Sequence, residues 1–157
     1  MRTKKSFIAI TLTVISLFHL SHSHAQSKSN LEEAKKDIAA SNAVFHQSFF
    51  KNDSSIFINC YTDDACLMAP NSPMACGREG IANFFRAGYN AGARSGKLVT
   101  TEIYGDGIEF VTEVGWGQVF DKNGTLIDEA KYLVLWKKTA KGWKMYRDSF
   151  SSNWRPK

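Results

Sequence analysis

The hydrophobic period of this chain changes once, near Lys97, and this change constrains the fold more than any other feature. Before Lys97 the apolar residues recur at helical spacing, as in the segment from Leu31 to Phe50. After it, apolar and polar residues alternate, and short turns that contain Gly separate the alternating runs. Helices followed by hairpin-connected strands predict an α+β domain with an antiparallel sheet.

Turn and cap residues set the predicted boundaries. Asn30 followed by Glu33 is typical of a capping box and predicts the start of the first helix, and Asn52-Asp53 predicts its end. A second, shorter helix is expected to run to about Tyr61. The third predicted helix and the four long predicted strands cover residues 78–89, 97–104, 108–121, 125–138 and 143–152.

The most specific motif is the segment of residues 61–81, YTDDACLMAPNSPMACGREGI. Thr62-Asp63-Asp64 has turn chemistry, residues 65–69 are a short apolar strand, and Pro70-Asn71-Ser72-Pro73 reverses the chain before a helix that opens after Gly77. An aromatic residue, a turn with Asp-Asp-Ala, a hairpin with Pro and then Gly-Arg-Glu-x-Ile resemble the signature of the SnoaL-like and ketosteroid-isomerase-like proteins. These belong to the nuclear transport factor 2-like superfamily.

The resemblance covers about residues 30–153 and implies the fold, but no particular substrate. It implies a cone-shaped fold, in which three N-terminal helices pack on a strongly curved antiparallel sheet around an internal cavity. The outer face of such sheets often forms dimers. Because Leu133 and Leu135 make this face of their predicted strand apolar, we expect a homodimer through the outer face of the sheet.

The first 25 residues have the composition of a secretory signal peptide. A basic start is followed by an apolar run at residues 7–20 and by Ser23-His24-Ala25, which supplies small residues before a cut after Ala25. The apolar run is shorter than the roughly 20 residues that a membrane span needs. We therefore expect a periplasmic or secreted protein. The predicted organisation is a signal peptide over residues 1–25, a linker over 26–29 and one domain over 30–153.

Charge gives no reason to expect a nucleic-acid partner. The formal net charge is +5, but three of the 20 basic residues lie in the predicted signal peptide. The lysine cluster of Lys137, Lys138, Lys141 and Lys144 surrounds a predicted turn and is typical of a solvated strand edge. We expect a small-molecule ligand, no nucleic acid, and no membrane contact after removal of the signal.

Three cysteines allow at most one disulfide within the chain. Cys66 and Cys76 lie on the two arms of the predicted hairpin, so a bridge between them is geometrically allowed in an exported protein. The alternative is that both, with Cys60, are small buried apolar residues. His46 is the only His after the signal, and the Cys spacings match no zinc pattern. We therefore expect neither a metal nor another cofactor.

The catalytic positions of ketosteroid isomerases carry apolar residues here. The resemblance places Ala69 at the general base before the hairpin Pro, Phe45 at the oxyanion-donating Tyr of the first helix, and Val134 at the protonated Asp of the penultimate strand. Proton abstraction beside a carbonyl needs both a base and an oxyanion donor. We therefore do not expect a ketosteroid isomerase.

Aromatic residues dominate the positions that the resemblance and strand alternation place around the cavity. Such residues either fill a cone or line a ligand pocket. Small residues at Ala69, Gly115, Gly117 and Ala130 favour the pocket. The expected cavity residues are Phe45, Phe49, Tyr61, Ala69, Phe85, Trp116, Tyr132, Val134, Trp136 and Arg147.

The last strand leaves one choice open. On a regular strand Arg147 and Asp148 face opposite ways, so only one points inward unless a bulge intervenes. Parity with Trp143 and Met145 favours Arg147, whereas the W-K-x-x-x-D ending of SnoaL-like relatives favours Asp148. A buried Asp148 would have a raised pKa and could transfer protons. We expect instead that Asp148 faces solvent or forms an ion pair outside the cone.

Two functions are compatible with the sequence. The one we favour is an exported domain that binds a small apolar or aromatic molecule without catalysis. The other is an acid–base isomerase, dehydratase or cyclase that uses Asp148 with Tyr132 or His46. His46 is rotated by about 100° from Phe45 on a helix, so we expect it to leave the cavity face.

Overall fold

The computed structural model describes residues 28–153. The predicted signal peptide over residues 1–25 lies outside the described residues. Residues 28 and 29, predicted as part of a linker, are already helical, so the predicted helix start at Asn30 is wrong. Neither Lys28 nor Ser29 breaks a helix, and the helix is therefore not obliged to begin at the capping sequence.

The helices occupy the N-terminal part of the described chain. They are α1 (residues 28–45), α2 (Gln47–Lys51), α3 (Ser54–Asn59) and α4 (Gly77–Asn90). A turn at His46 divides the first predicted helix into α1 and α2. The predicted break follows, because Asn52 adopts a left-handed conformation with φ of 51°. Asp53 then caps α3 by accepting a 2.9 Å hydrogen bond from the Ser55 backbone N–H.

Six strands form one sheet. They are β1 (Tyr61–Met68), β2 (Ala75–Cys76), β3 (Ser95–Gly105), β4 (Phe110–Phe120), β5 (Leu126–Thr139) and β6 (Gly142–Ser152). The spatial order is β2-β1-β6-β5-β4-β3, and every pair is antiparallel except β1 with β6, which is parallel. The predicted α+β class and the predicted meander of the last four strands are confirmed.

The start of β1 corrects one prediction. Thr62-Asp63-Asp64 was predicted as a turn, but these residues belong to the strand. The pairing of β1 with β6 shifts register between Tyr61 and Cys66. The turn-forming residues therefore produce an irregularity inside the strand and do not end it.

The core lies between the helices and one face of the sheet, here called the inner face. Aromatic side chains from both layers fill it, and Phe57 is fully buried against Phe45 and Phe85, with ring centroids 4.7 and 5.5 Å away. Burying each such ring stabilises the fold by about 1.5–3 kcal/mol. Within residues 28–153 no helix is both long and apolar enough to cross a membrane.

The predicted disulfide is present. Cys66 and Cys76 are directly opposite each other in the β1–β2 pair, and their Cα atoms are 4.1 Å apart. The bridge joins the two arms of the hairpin and holds the start of α4 against β1. Cys60 is free and buried, and burial raises the pKa of its thiol, so it behaves as an apolar core residue.

Candidate functional site

A cavity of about 140 Å³ lies between the helices and the inner face of the sheet. A cavity of similar size, roughly 150 Å³ and lined by apolar side chains, is large enough for a benzene molecule. The aromatic part of the wall consists of Phe45, Phe49, Phe57, Phe84, Tyr132 and Phe150. The polar and charged residues on the wall are Asn42, His46, Glu113, Gln118, Asp128 and Asp148.

The predicted cavity residues divide into three groups. Phe45, Phe49, Tyr132 and Val134 lie on the cavity wall. Tyr61, Phe85 and Trp136 are buried in the core around it, and Ala69 is partly buried next to the core beyond the end of β1. Trp116 and Arg147 are on the other face of the sheet, and these two predictions are wrong.

Trp116 lies on the outer face because of strand parity. The inward positions of β4 begin at Val111 and continue with Glu113, which leaves Trp116 on the opposite side. Its ring is half-buried there, with the Lys97 ammonium 5.8 Å from the ring centroid. Apolar residues occupy both faces of this strand, so the composition alone does not reveal the orientation.

A bulge at Tyr146 places Asp148 inside and Arg147 outside. Leu135 of β5 pairs with Arg147 and the next residue pairs with Met145, so Tyr146 is an extra residue on β6. Met145 and Asp148 therefore both face inward, although they are three positions apart. The expectation that Asp148 lies outside the cone is wrong.

Arg147 is held on the outer side by its own contacts. Its guanidinium donates a 3.1 Å hydrogen bond to the Asp64 carbonyl and stacks 3.7 Å over the Tyr146 ring. These contacts satisfy the cation away from the cavity.

Glu113 is the centre of a buried hydrogen-bond network that the sequence interpretation missed. It is fully buried, and its Oε1 accepts hydrogen bonds from Asn42 Nδ2 (2.8 Å), Thr100 Oγ1 (2.6 Å) and the Tyr132 hydroxyl (3.0 Å). The indole N–H of Trp136 donates to Oε2 at 2.9 Å. All four partners are neutral donors, and together they satisfy the carboxylate without a counter-ion.

The backbone of β4 makes room for this network. Gly115 lies opposite Tyr132, and a Cβ at this position would collide with the Tyr132 hydroxyl and with the Val99 carbonyl. Only Gly therefore lets the Tyr132 side chain reach across to Glu113. Glu113 shares one parity with Gly115 and Val111, but apolar residues also occupy the other parity, so alternation alone did not mark Glu113 as an inward residue.

Asp148 is the second buried carboxyl of the cavity. It is 7% exposed, and its Oδ2 accepts a 2.7 Å hydrogen bond from the Tyr61 hydroxyl. It pairs with Val134 on β5, which pairs with Glu113 on β4, so the two carboxyls lie in one row across three strands. Burial, with a further contribution from the negative charge of Glu113, raises the pKa of Asp148 from 3.8 to about 6.

His46 faces the cavity, contrary to the prediction. The cavity-facing residues of α1, α2 and the turn between them are Asn42, Phe45, His46 and Phe49, spaced at i, i+3, i+4 and i+7. Such a helical face spans at least about 100°, so a residue rotated by that angle from Phe45 still belongs to it. Burial lowers the pKa of His46 from 6.5 to about 4, and the ring is therefore neutral at pH 7.

The arrangement combines an apolar binding space with groups that can exchange a proton near neutral pH. Asp148 can accept or release a proton at pH 6–7, and neutral His46 offers one donor and one acceptor nitrogen. Within residues 28–153 no three His, Cys, Asp or Glu side chains are grouped to hold a metal ion.

Comparison with solved structures identifies the fold of this chain. No protein-family model matches the sequence, and no curated protein sequence is significantly similar to it. A nuclear transport factor 2-like protein with a cystatin-like fold from Novosphingobium aromaticivorans is 19% identical over 80% of this chain and 86% of its own, with a TM-score of 0.69. A ketosteroid isomerase-like protein from Erwinia carotovora atroseptica is 22% identical over 75% of this chain and 95% of its own, with a TM-score of 0.62.

A protein of unknown function with a cystatin-like fold from Nostoc punctiforme is similar to the same degree. It is 19% identical over 76% of this chain and 90% of its own, with a TM-score of 0.66. The chain therefore has the cystatin-like fold of nuclear transport factor 2-like proteins, and the resemblance stated from the sequence is confirmed at the level of the fold.

Proposed function

We propose that this protein binds a small, mainly apolar molecule of about one ring in the cavity of the cone. The observation that carries the proposal is the cavity of about 140 Å³ with aromatic walls and a few buried polar groups. This combination of an apolar lining and few convergent polar groups is typical of small-molecule sites. The apolar surface of a ring fills the aromatic part, and its substituent reaches the polar groups.

A cavity-blocking variant tests this proposal. Ala130 of β5 lies on the cavity wall and is the direct cross-strand partner of Gly117 on β4. Ala130→Phe therefore places a ring in the cavity. Ile108→Phe is the matched control, because Ile108 is 60% exposed in the turn before β4. We expect toluene and benzyl alcohol to shift NMR signals of cavity residues in the wild type and in the control, but not in Ala130→Phe. Absence of any shift in the wild type would refute the proposal.

Export is part of the proposal. The signal-like N-terminus motivates a periplasmic or secreted location, and a Cys66–Cys76 bridge supports it because disulfides persist in oxidising compartments. Mass spectrometry of the protein isolated from its native compartment tests the location. We expect a chain that begins at Gln26, and an uncleaved chain in the cytoplasm would contradict this.

A homodimer through the outer face of the sheet is also proposed. Leu133 is 48% exposed on this face. Leu135 on the same strand is half-buried, and Val114 on β4 is the cross-strand partner of Leu133. An exposed apolar strand face favours burial against a second copy. Light scattering is expected to give twice the chain mass, and Leu133→Lys to give a monomer. A wild-type monomer at micromolar concentration would contradict the dimer.

Acid–base catalysis is the second candidate function, and one observation favours it. Asp148 combines burial, a single Tyr61 hydrogen bond and a pKa of about 6, which suits proton transfer near neutral pH. The ketosteroid isomerase positions remain apolar, with Phe45 and Val134 on the cavity wall. Any catalysis would therefore use Asp148 from a different strand position.

Deuterium exchange tests this candidate without a known substrate. Cyclohexanone in D₂O is followed by NMR for loss of its α-protons with wild type, Asp148→Asn and buffer. Catalysis predicts exchange above background in the wild type and a loss of about 10²–10⁴ in the variant. Equal rates in the two proteins would exclude Asp148 as the base for this proton transfer.

A further inference from the structure

Most of the hydrogen-bond donors around the cavity are already used within the protein. Asn42, Thr100, Tyr132 and Trp136 all donate to Glu113. The Tyr61 hydroxyl donates to Asp148. Four of these five groups have a single donor hydrogen, which is used, so among them only the second N–H of Asn42 remains for a ligand that needs donors, such as a carboxylate or phosphate.

The polar atoms that remain are mainly acceptors. Asn42 Oδ1 is buried, and within the described residues it has no hydrogen-bond partner. Asp148 receives one donor, from Tyr61, and within residues 28–153 no second donor reaches it. The two His46 ring nitrogens are also buried and unpartnered in this part of the chain, and in the neutral ring one of them is an acceptor and the other a donor. Buried acceptors without donors destabilise a protein unless a ligand or water supplies the donor.

The charges near the cavity have one sign. Glu113, Asp128 and Asp148 line the wall, and among the described lining residues there is no Lys or Arg. Aromatic rings add the negative faces of their π systems, which attract cations. An anionic ligand would be repelled by Asp148 and Glu113, whereas a cation is attracted by both the carboxylates and the rings.

We infer that the cavity selects a ligand of one ring that carries a protonated amine, or an equivalent cationic donor, and rejects ligands that carry a carboxylate. This inference rests on the proposed binding function and specifies its ligand class. The ring occupies the space between Phe45, Phe49 and Phe150, and the ammonium donates to Asp148 and to Asn42 Oδ1. An ammonium has three donors, which matches a site with acceptors and few free donors.

Three molecules of nearly equal size test the inference. Benzylamine, benzyl alcohol and benzoate are titrated into the mature protein at pH 7.5 by calorimetry, with toluene as the purely apolar reference. We expect benzylamine to bind about tenfold tighter than benzyl alcohol, and benzoate at least about tenfold weaker than the alcohol. Ala130→Phe is expected to abolish benzylamine binding, which locates it in the cavity.

The outcomes separate the ligand class from the binding function. If benzyl alcohol or toluene binds and benzylamine binds no tighter, the inference is overturned while the binding function stands. Benzoate binding equal to that of benzylamine, or benzylamine binding retained in Ala130→Phe, also overturns it. If none of the four molecules binds, the binding function fails and the inference fails with it.

Two variants assign the selectivity to a residue. Asp148→Asn is expected to lower the ratio of benzylamine affinity to benzyl alcohol affinity about tenfold, because the anionic partner of the ammonium is lost. Asp63→Asn removes the same charge from an exposed position, where the side chain is 85% accessible, and is expected to keep the ratio. An unchanged ratio in Asp148→Asn would overturn the assignment of Asp148 as the ammonium partner.

Discussion

Replacing Asp148 by Asn tests the main electrostatic feature of the cavity through protein stability. Asp148 is 7% exposed and receives a hydrogen bond from Tyr61, and burial raises its pKa from 3.8 to about 6. Asn has nearly the same size and keeps an oxygen that accepts from the Tyr61 hydroxyl, but it does not ionise. The substitution therefore removes the proton linkage of this residue.

The sign of the linkage follows from the raised pKa. Well below pH 3.8 the Asp148 carboxyl is protonated in both the folded and the unfolded chain. Between pH 4 and 6 the unfolded chain releases this proton while the folded protein retains it, so stability is lost as the pH rises. The loss is complete above pH 6, and at about 1.4 kcal/mol per pH unit it amounts to about 3 kcal/mol.

The wild-type protein alone does not display this loss clearly. His46 has its pKa lowered to about 4, so its contribution to stability is lost as the pH falls from 6.5 to 4. The two contributions have opposite signs, similar sizes and nearly the same pH range. The informative quantity is therefore the difference in unfolding free energy between wild type and Asp148→Asn.

Urea unfolding at half-unit steps from pH 4 to 7.5, followed by Trp fluorescence, measures this difference. Tyr61 on β1, Glu113 on β4 and Tyr132 on β5 interact with Asp148, and His46 and Asp128 share the cavity wall with it. They are present in both proteins and largely cancel. We expect the stability of the wild type relative to the variant to fall by about 2 kcal/mol from pH 4 to 7, because part of the full loss has already occurred at pH 4.

A flat difference would refute the reasoning. If the relative stability changes by less than about 0.5 kcal/mol over this range, Asp148 is not a buried carboxyl with a raised pKa. A difference that rises with pH would mean that the site stabilises the ionised carboxylate. The control is Asp63→Asn, whose exposed side chain is expected to change stability by less than about 1 kcal/mol at any pH.

Three further predictions concern His46, Glu113 and the disulfide. His46→Leu removes an imidazole with a pKa near 4, so the stability of the wild type relative to this variant is expected to rise by about 3 kcal/mol from pH 4 to 7 in the same urea series. Glu113→Gln replaces one acceptor oxygen by an NH₂ group that faces a hydrogen-bond donor, so it is expected to lower the free energy of unfolding by about 1–3 kcal/mol. The exposed control Glu109→Gln is expected to have no measurable effect, and equal stabilities of the two variants would contradict the network. Replacing Cys66 and Cys76 by Ala opens a short loop and is expected to cost about 2–3 kcal/mol. Thiol titration in denaturant is expected to give one thiol for the oxidised protein and three after reduction, and three before reduction would contradict the bridge.

Local sequence signals were sufficient for the order of the elements and for the disulfide. Asn52-Asp53 interrupts the helices because its residues favour a left-handed turn and a cap, and both are present. Cys66 and Cys76 were expected to meet because the hairpin turn between them is nearly symmetric, and they are direct partners. These features depend on residues within about ten positions of each other.

Orientation could be predicted for β5 but not for β4. On β5 the Lys at position 131 marks the outer parity, and Tyr132, Val134 and Trp136 of the other parity form the inner face. On β4 apolar residues occur at both parities, and Trp116 was assigned inward together with the other aromatic residues. The buried carboxyl of Glu113 identifies the correct face only after the donors around it are known.

Only the tertiary structure decides the chemistry of the cavity. The bulge at Tyr146 is a property of the pairing between β5 and β6, and it turns Asp148 inward against the simple alternation. The donors to Glu113 come from α1, β3 and β5, which are far apart in the chain and meet when the helices close over the sheet. Alternation and capping are short-range effects, whereas burial and its pKa shifts depend on every element packed around a group. For this reason the fold and part of the aromatic wall were predictable, and the buried polar groups were not.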